Sequence, residues 1–150
     1  MKTVFIFKVF FSFQAREGFS NLVGVDYSEN AIELAKTVAR AQNLTISYEV
    51  CDLLDAQNSI PTEEYAIALD KGTYDAISLH PDDPKHKREQ YISNVWNLLK
   101  TQGLLIITSC NWTEKELVSH FNTSEYIKNS KSRKNIENKI YGLYLCLCLF

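Results

Sequence analysis

The stretch that decides the fold is LVGVDYSENAIELAKTVAR, residues 22–40, which has the pattern of a buried strand followed by an amphipathic helix. Its first four residues are continuously apolar, as in a strand that is covered on both faces of a parallel sheet. Ser28 follows the strand and has a side chain suited to a helix N-cap. Apolar side chains then recur on one helical face, at Ile32, Ala35 and either Val38 or Ala39. The stretch therefore predicts a β–α unit.

Further strands are predicted from short apolar segments along the chain. They are TISYEV, EYAIAL and LLIITSC, at residues 45–50, 64–69 and 104–110. DKGTYDAISLHPDD, at residues 70–83, is predicted as a loop with a partly ordered segment. Strands that alternate with helices imply right-handed crossovers and a parallel sheet. We therefore predict an α/β fold.

Two further helices are predicted from their capping residues. Asp83 and Pro84 suit the N-cap and first position of a long helix, and Gly103 is predicted to supply the turn out of it. Its apolar face comprises Tyr91, Ile92, Val95, Trp96 and Leu99. TEKE, at residues 113–116, matches a capping box. It predicts a short helix with the apolar side chains Leu117, Val118 and Phe121.

Composition excludes several classes of protein. The chain has 150 residues, 45% of them hydrophobic, which supports a single globular domain with a core. The net charge is −2 and therefore gives no indication of a nucleic-acid partner. The C-terminal apolar run is shorter than the roughly 20 residues that span a bilayer. We predict a monomer that binds neither membrane nor nucleic acid.

The cysteines and the two ends of the chain bear on localisation. The four cysteines form no C-x-x-C pair, so we predict no metal site and free thiols in a reducing compartment. The apolar run at residues 1–13 mimics a signal peptide, but Lys8 interrupts it and no small-x-small cleavage site follows. We predict a cytoplasmic protein. KSRK, at residues 131–134, leaves a nuclear pool as the alternative, although a solvated tail is the favoured interpretation.

Polar residues stand at the ends of the first two predicted strands after residue 20, where ligands of parallel sheets bind. Asp26 could accept hydrogen bonds from both ribose hydroxyls, with Tyr27 against an adenine ring; the alternative is an aspartate that caps the next helix. Asp52 could accept from an adenine amino group, beside a backbone N–H at Leu53; the alternative is an exposed loop acid. These residues are candidates for cofactor binding.

The next two strands end in candidates for substrate binding. Asp70, followed by Lys71 and Gly72, could pair with an ammonium of the cofactor or of a substrate; the alternative is a surface turn. Asn111 and Trp112 could line a substrate channel, although a buried structural tryptophan is the commoner case.

Several of these segments resemble the class I S-adenosylmethionine-dependent methyltransferases. GFSNLVGVDYS, LDKGTYDAISL, YISNVWNLLK and GLLIITSCNWT are similar, more narrowly, to the lysine methyltransferases that modify translation elongation factor 1-alpha. The DKGT and TSCNWT segments are the most distinctive. The resemblance covers residues 9–121.

The resemblance implies a Rossmann-like seven-stranded sheet, S-adenosylmethionine as cofactor and a protein lysine as substrate. Asp26 would hold the ribose with Tyr27 beside the adenine. Asp52 and Leu53 would meet the adenine edge. Three residues would have catalytic positions: Asp70 would face the methionine end of the cofactor and the target amine, and Asn111 and Trp112 would lie near the entering lysine.

The sequence departs from the family pattern at both ends. The family carries a segment of the type D-x-G-x-G-x-G after its first strand, immediately before the position of Val9. MKTVFIFK, at residues 1–8, contains neither the acid nor a glycine, although TVFIFKVFF could partly replace the first strand. Nor does the segment after Phe121 resemble the family's last two strands. We therefore expect an incomplete methyltransferase domain over residues 1–121, and a basic polar linker with a short apolar tail over residues 122–150.

Three alternative functions are considered, and the sequence argues against two of them. A non-catalytic form would bind the elongation factor, or another protein, without methylating it. A nicotinamide-dependent oxidoreductase would also use Asp26, but G-x-G-x-x-G is absent. Nucleic-acid amino methyltransferases resemble one another in a proline–aromatic motif after the strand that ends here in Asp70, and this chain lacks that motif.

Overall fold

A computed structural model describes residues 2–6, 19–55, 60–123 and 143–147. The strands within these ranges are β1 (Thr3–Ile6), β2 (Leu22–Asp26), β3 (Ser47–Val50), β4 (Tyr65–Lys71), β5 (Leu99–Ser109) and β6 (Leu143–Leu147). The helices are α1 (Glu29–Ala41), α2 (Thr73–Ser78), α3 (Pro84–Leu98) and α4 (Glu114–Thr123). The strands form one parallel sheet in the order β3-β2-β1-β4-β5-β6. This confirms the predicted α/β class.

The N-terminal segment supplies a central strand of this sheet. β1 lies between β2 and β4, with Thr3 beside Leu22 on one side and Ile6 beside Asp70 on the other. Val4 is fully buried, as expected for a strand at the centre of a parallel sheet. A strand is therefore present where we expected the family's first strand to be missing or replaced.

The predicted helix starts are confirmed by side-chain caps. The Ser28 Oγ accepts the Ala31 backbone N–H at 3.4 Å at the start of α1. Asp83 caps α3 with Pro84 in the first turn. Before α4, the Thr113 N–H donates to the Glu116 carboxylate at 2.9 Å, while the Glu116 N–H donates to the Thr113 hydroxyl at 3.4 Å. Each cap satisfies a backbone N–H that has no partner within its helix.

The turn predicted at Gly103 is wrong. α3 passes directly into β5 at Leu99, and Gly103 lies within that strand. The left-handed backbone belongs to Gln102, with φ 64°. Glycine is required at 103 by crowding instead, since a Cβ there would lie 2.9 Å from the carbonyl oxygen of Lys100 and 3.0 Å from the Cβ of Leu99.

Other differences concern the extent of elements and their faces. Residues 73–78 form α2 where a loop was predicted. Ala39, rather than Val38, completes the buried face of α1, and Val118 is exposed on α4. The apolar tail contains β6, which pairs with β5 through Leu105 and Leu143. Residues 7–18 and most of the predicted linker lie outside the described residues.

An aromatic cluster packs where α2, α3 and α4 meet. Tyr74 and Tyr91 are fully buried, with ring centroids 5.4 Å apart, and Phe121 lies 5.5 Å from Tyr74. These spacings fall in the range of favourable tilted aromatic pairs. Among the described residues no helix is long and apolar enough to cross a membrane. The same residues contain no cluster of His, Cys, Asp and Glu suited to a metal ion.

Candidate functional site

A cavity of about 720 Å³ opens at the carboxyl ends of the strands. Its volume is in the range of small-molecule sites, and its place is where α/β sheets bind ligands. Strands β1 to β5 or the residues that follow them all contribute to its wall. The lining residues are Ile6, Val25, Asp26, Tyr27, Cys51, Asp52, Leu53, Leu54, Lys71, Gly72, Thr73, Ala76, Ile77, His80, Thr108 and Cys110.

One half of the cavity, which we call the acidic half, is lined by Asp26, Tyr27, Asp52 and Leu53. Asp26 ends β2 and is half-buried, and its Oδ1 accepts the Ser28 N–H at 2.9 Å. Tyr27 is 79% exposed at the rim. The structure therefore brings together four residues that the sequence placed at two separate strand ends.

The second acidic side chain is anchored in its own turn. The Oδ1 of Asp52 accepts the Leu54 N–H at 2.8 Å. Leu53 is buried, and its carbonyl oxygen accepts the Asn94 side-chain amide at 2.9 Å. Burial raises the pKa of the neighbouring Cys51 thiol to about 12. At neutral pH this thiol is therefore protonated and unreactive, and it serves as an apolar wall.

The other half, which we call the α2 half, is formed by the end of β4 and by α2. Gly72 has φ 86°, a left-handed conformation that glycine adopts without steric cost. The Thr73 hydroxyl donates to the Ile6 carbonyl at 3.0 Å and so ties α2 to β1. His80 lies at the far end of α2, and its Nδ1 accepts the Asp82 N–H at 3.1 Å.

Asp70 lies behind this wall and not among the lining residues. It is 2% exposed, and its carboxylate accepts the N–H groups of Thr73 and Tyr74, each at 2.9 Å, and the hydroxyl of Tyr91. Burial raises the pKa of Asp70 to about 6, although all three donors lower it. The carboxylate of Asp70 thus contacts α2 and α3, and its contact with an ammonium stays a prediction.

Asn111 and Trp112 also lie outside the cavity wall, immediately after Cys110, which lines it. Asn111 is exposed and Trp112 is half-buried. The indole of Trp112 meets the ring of His120 edge-on, with centroids 4.8 Å apart. The structure thus places both residues beside the α2 half without bringing them into the acidic half.

Sequence reasoning missed the residue that connects α2 to this segment. Asp75, in the first turn of α2, accepts the Ser109 hydroxyl at 2.6 Å and the Cys110 N–H at 2.8 Å. The only local signal was a second acid five residues after Asp70 in DKGTYD. Its partners are more than thirty residues away, so no local pattern identifies them.

The comparisons with known proteins agree with this geometry. A family model described as a methyltransferase domain matches residues 8–145. EEF1A lysine methyltransferase 2 of Homo sapiens is 43% identical over 108 residues, which cover 71% of this chain and 45% of that protein. Protein-lysine N-methyltransferase efm4 of Schizosaccharomyces pombe is 38% identical over 113 residues, which cover 73% and 47%. The chain thus spans about half the length of these curated relatives.

A solved structure supports the fold independently. The crystal structure of a SAM-dependent methyltransferase from Methanosarcina mazei aligns with a TM-score of 0.61 at 22% identity, covering 79% of this chain and 57% of that one. At this identity the likeness concerns the fold alone. Together with the family match, which extends over most of the chain, it shows that this protein belongs to the methyltransferase domain family.

Proposed function

We propose that this chain binds S-adenosylmethionine in the cavity, and that its activity is the N-methylation of a lysine in translation elongation factor 1-alpha. The observation that carries the proposal is the convergence of Asp26 and Asp52, from adjacent strand ends, on one cavity of about 720 Å³. The names of the relatives support the substrate, since they are EEF1A or protein-lysine methyltransferases.

The acidic half fits a nucleoside in the polarity of its lining residues. We assign the ribose hydroxyls to the carboxylate of Asp26, which is fixed by its bond to Ser28. Tyr27, exposed at the rim, would cover one face of the adenine. Asp52 would accept from the adenine amino group while the N–H of Leu53 donates to a ring nitrogen. The buried side chains of Leu53 and Cys51 supply an apolar wall.

The α2 half then receives the reacting groups. When bound, S-adenosylmethionine supplies a methyl group activated by its sulfonium. The lysine nitrogen, as the neutral amine, forms the new N–C bond as the C–S bond breaks, and it then loses one proton. Positioning is the main task of the protein in such a displacement. We place Asn111 and Trp112 beside the path of the entering lysine.

In our proposal Asp70 supports the α2 half of the cavity without lining it. Its carboxylate holds the N–H groups of Thr73 and Tyr74 and so fixes the start of α2 against β4. Thr73 lines the cavity, so a shift of this turn would change the shape of the α2 half. We therefore propose Asp70 as a positioning residue rather than one in contact with the amine.

Transfer of a labelled methyl group to purified elongation factor 1-alpha tests the proposed activity. We expect incorporation with the full chain and a large loss with Asp26→Ala. Asp82→Ala is the matched control, since Asp82 is exposed and lies outside the cavity wall. No incorporation by folded protein at saturating cofactor would refute the activity.

A non-catalytic role is the second candidate, favoured by one feature of the sequence. The eleven residues after β1, FKVFFSFQARE at residues 7–17, contain no glycine. Glycine is the usual residue where a backbone approaches a bound ligand closely, and this stretch of sequence offers none. Isothermal titration separates the two candidates. Binding of the elongation factor without binding of cofactor would favour the non-catalytic role.

A further inference from the structure

The carboxylate of Asp75 joins two elements that face the α2 half of the cavity. It is 7% exposed, and its two oxygens have different partners. Oδ1 accepts the Ser109 hydroxyl at 2.6 Å, and Oδ2 accepts the Cys110 N–H at 2.8 Å. One side chain of α2 therefore binds both the last residue of β5 and the residue after it.

Ser109 continues this connection to the next two residues. Its Oγ accepts the Asn111 N–H at 3.2 Å and the Trp112 N–H at 3.1 Å, while its own proton goes to Asp75. A hydroxyl has one donor and two acceptor positions, so all three are used. Ser109 is 1% exposed, so its hydroxyl is shielded from bulk solvent. The direction of every hydrogen bond in this group is therefore fixed.

We propose that Asp75 is a positioning residue which, through Ser109, holds the segment Cys110–Trp112 against the α2 half so that a substrate amine can enter beside it. The role of the held segment in substrate entry rests on the proposed function, whereas the connection itself rests on the four hydrogen bonds. Cys110 lines the cavity, so the held segment is part of the wall.

The Trp112 ring is the outer end of the held segment. It packs edge-on against His120 at 4.8 Å, and the guanidinium of Arg88 lies 5.6 Å from its centroid. These contacts join the segment to α4 and α3 but leave its backbone dependent on Ser109. If Ser109 lost its hydrogen bond to Asp75, the backbone of Asn111 and Trp112 would therefore move while α3 and α4 stay in place.

A carboxylate is required at position 75 because both of its neighbours are donors. An asparagine has one acceptor oxygen and an NH₂ group that only donates. Asp75→Asn can thus satisfy either Ser109 or the Cys110 N–H, and it turns a donor toward the other. The neutral variant keeps the size of the side chain while it breaks the arrangement.

Trp112 fluorescence tests the proposal without relying on activity. The chain has two tryptophans, so Trp96→Phe leaves Trp112 as the only one. In that background we expect Asp75→Asn to shift the emission to longer wavelength and to increase quenching by acrylamide. Hydrogen exchange should show the amides of Asn111 and Trp112 less protected by about ten- to a hundredfold, the effect of losing one hydrogen bond to a charged group.

Asp83→Asn is the matched control. Asp83 also accepts a backbone N–H, that of His86 at 3.2 Å, but it caps α3 outside this group. It should leave Trp112 emission unchanged. Unchanged emission and exchange in Asp75→Asn would overturn the proposal.

Two variants of Ser109 keep the test decisive if Asp75→Asn does not fold. Ser109→Ala removes all three hydrogen bonds of the hydroxyl and should shift the Trp112 emission to longer wavelength. Ser109→Thr keeps the hydroxyl and should give the parent spectrum. Equal spectra for the two would overturn the proposal.

Kinetics then separate positioning from support of the fold. In Asp75→Asn we expect kcat for methyl transfer to fall while the Kd of S-adenosylmethionine is unchanged, since Asp75 binds the end of β5, and β1 and β4 separate β5 from the strands of the acidic half. Equal kcat in the two proteins would overturn the positioning role. Failure of the parent protein to bind cofactor, with the Trp112 response intact, would instead refute the proposed function.

Discussion

Replacement of Tyr91 by phenylalanine removes the hydroxyl that donates to the buried Asp70 carboxylate. At pH 7.5 this carboxyl is ionised, because its pKa in the fold is about 6. The lost bond is thus one to a charged group, worth about 1.5–3 kcal/mol. For a chain of this size, where 1 kcal/mol shifts Tm by about 2–4 °C, we expect Tm to fall by about 3–12 °C.

The loss should be smaller at pH 5. The pKa of Asp70 is raised from 3.8 to about 6 by burial, so as pH falls the folded protein binds this proton near pH 6, before the unfolded chain does. The contribution of Asp70 to stability is consequently most favourable below pH 3.8, and it declines as pH rises toward 6. At pH 5 the carboxyl is protonated, and the hydrogen bond from Tyr91 is worth about 0.5–1.5 kcal/mol.

Tyr65→Phe provides the matched control. Tyr65 and Tyr91 are both fully buried, but the Tyr65 hydroxyl has no hydrogen-bond partner among the described residues. Its removal should change stability little or raise it, since an unpaired buried hydroxyl carries a desolvation cost. Urea titrations of both variants at pH 7.5 and pH 5 make the comparison. Equal losses for the two variants, or a Tyr91→Phe loss independent of pH, would refute this interpretation of Asp70.

Three further predictions concern the cavity and the fold. Asp26→Asn should weaken cofactor binding in equilibrium dialysis, because the NH₂ group of an amide cannot accept a hydrogen bond and only one oxygen remains for the two ribose hydroxyls. Unchanged affinity would show that Asp26 does not bind the cofactor. Gly103→Ala should lower the free energy of unfolding, measured by urea titration, by about 1–3 kcal/mol through overpacking against Lys100 and Leu99; a neutral result would show that β5 can shift. Thr113→Ala should lower the free energy of unfolding, measured by urea titration, by about 0.5–2 kcal/mol through loss of the α4 cap.

Elements with local signals were predictable from the sequence. β2 and α1 follow from an apolar run and from the N-cap Ser28, and both are present. The start of α3 follows from Asp83 and Pro84. In these cases the residues that make the structure are neighbours in the chain, so their types and spacing are sufficient.

Elements that depend on distant partners were not predictable. α2 has six residues, fewer than two helical turns, so no repeating apolar face is visible, and its N-cap, Gly72, provides no side-chain cap. The cap comes from Asp70 on the preceding strand, which is itself held by Tyr91 of another helix. The passage from α3 into β5 was missed for a similar reason, since Gly103 is required by contacts and not by a turn.

The candidate site shows the same division. The positions of Asp26 and Asp52 followed from the general rule that ligands bind at the carboxyl ends of parallel strands. The inward turn of the Asp70 carboxylate and the link from Asp75 to Ser109 arise from tertiary hydrogen bonds. Residue type and order therefore locate the edge of the sheet where the site lies, but not which acids reach the cavity.

Isothermal titration of the full chain with S-adenosylmethionine tests the central claim most directly. If the acids at the ends of β2 and β3 form one cofactor site, the titration shows saturable binding of one molecule per chain, and Asp26→Asn weakens it while Asp82→Asn does not. Folded protein that gives no binding heat and no cofactor-dependent rise in Tm would contradict the claim.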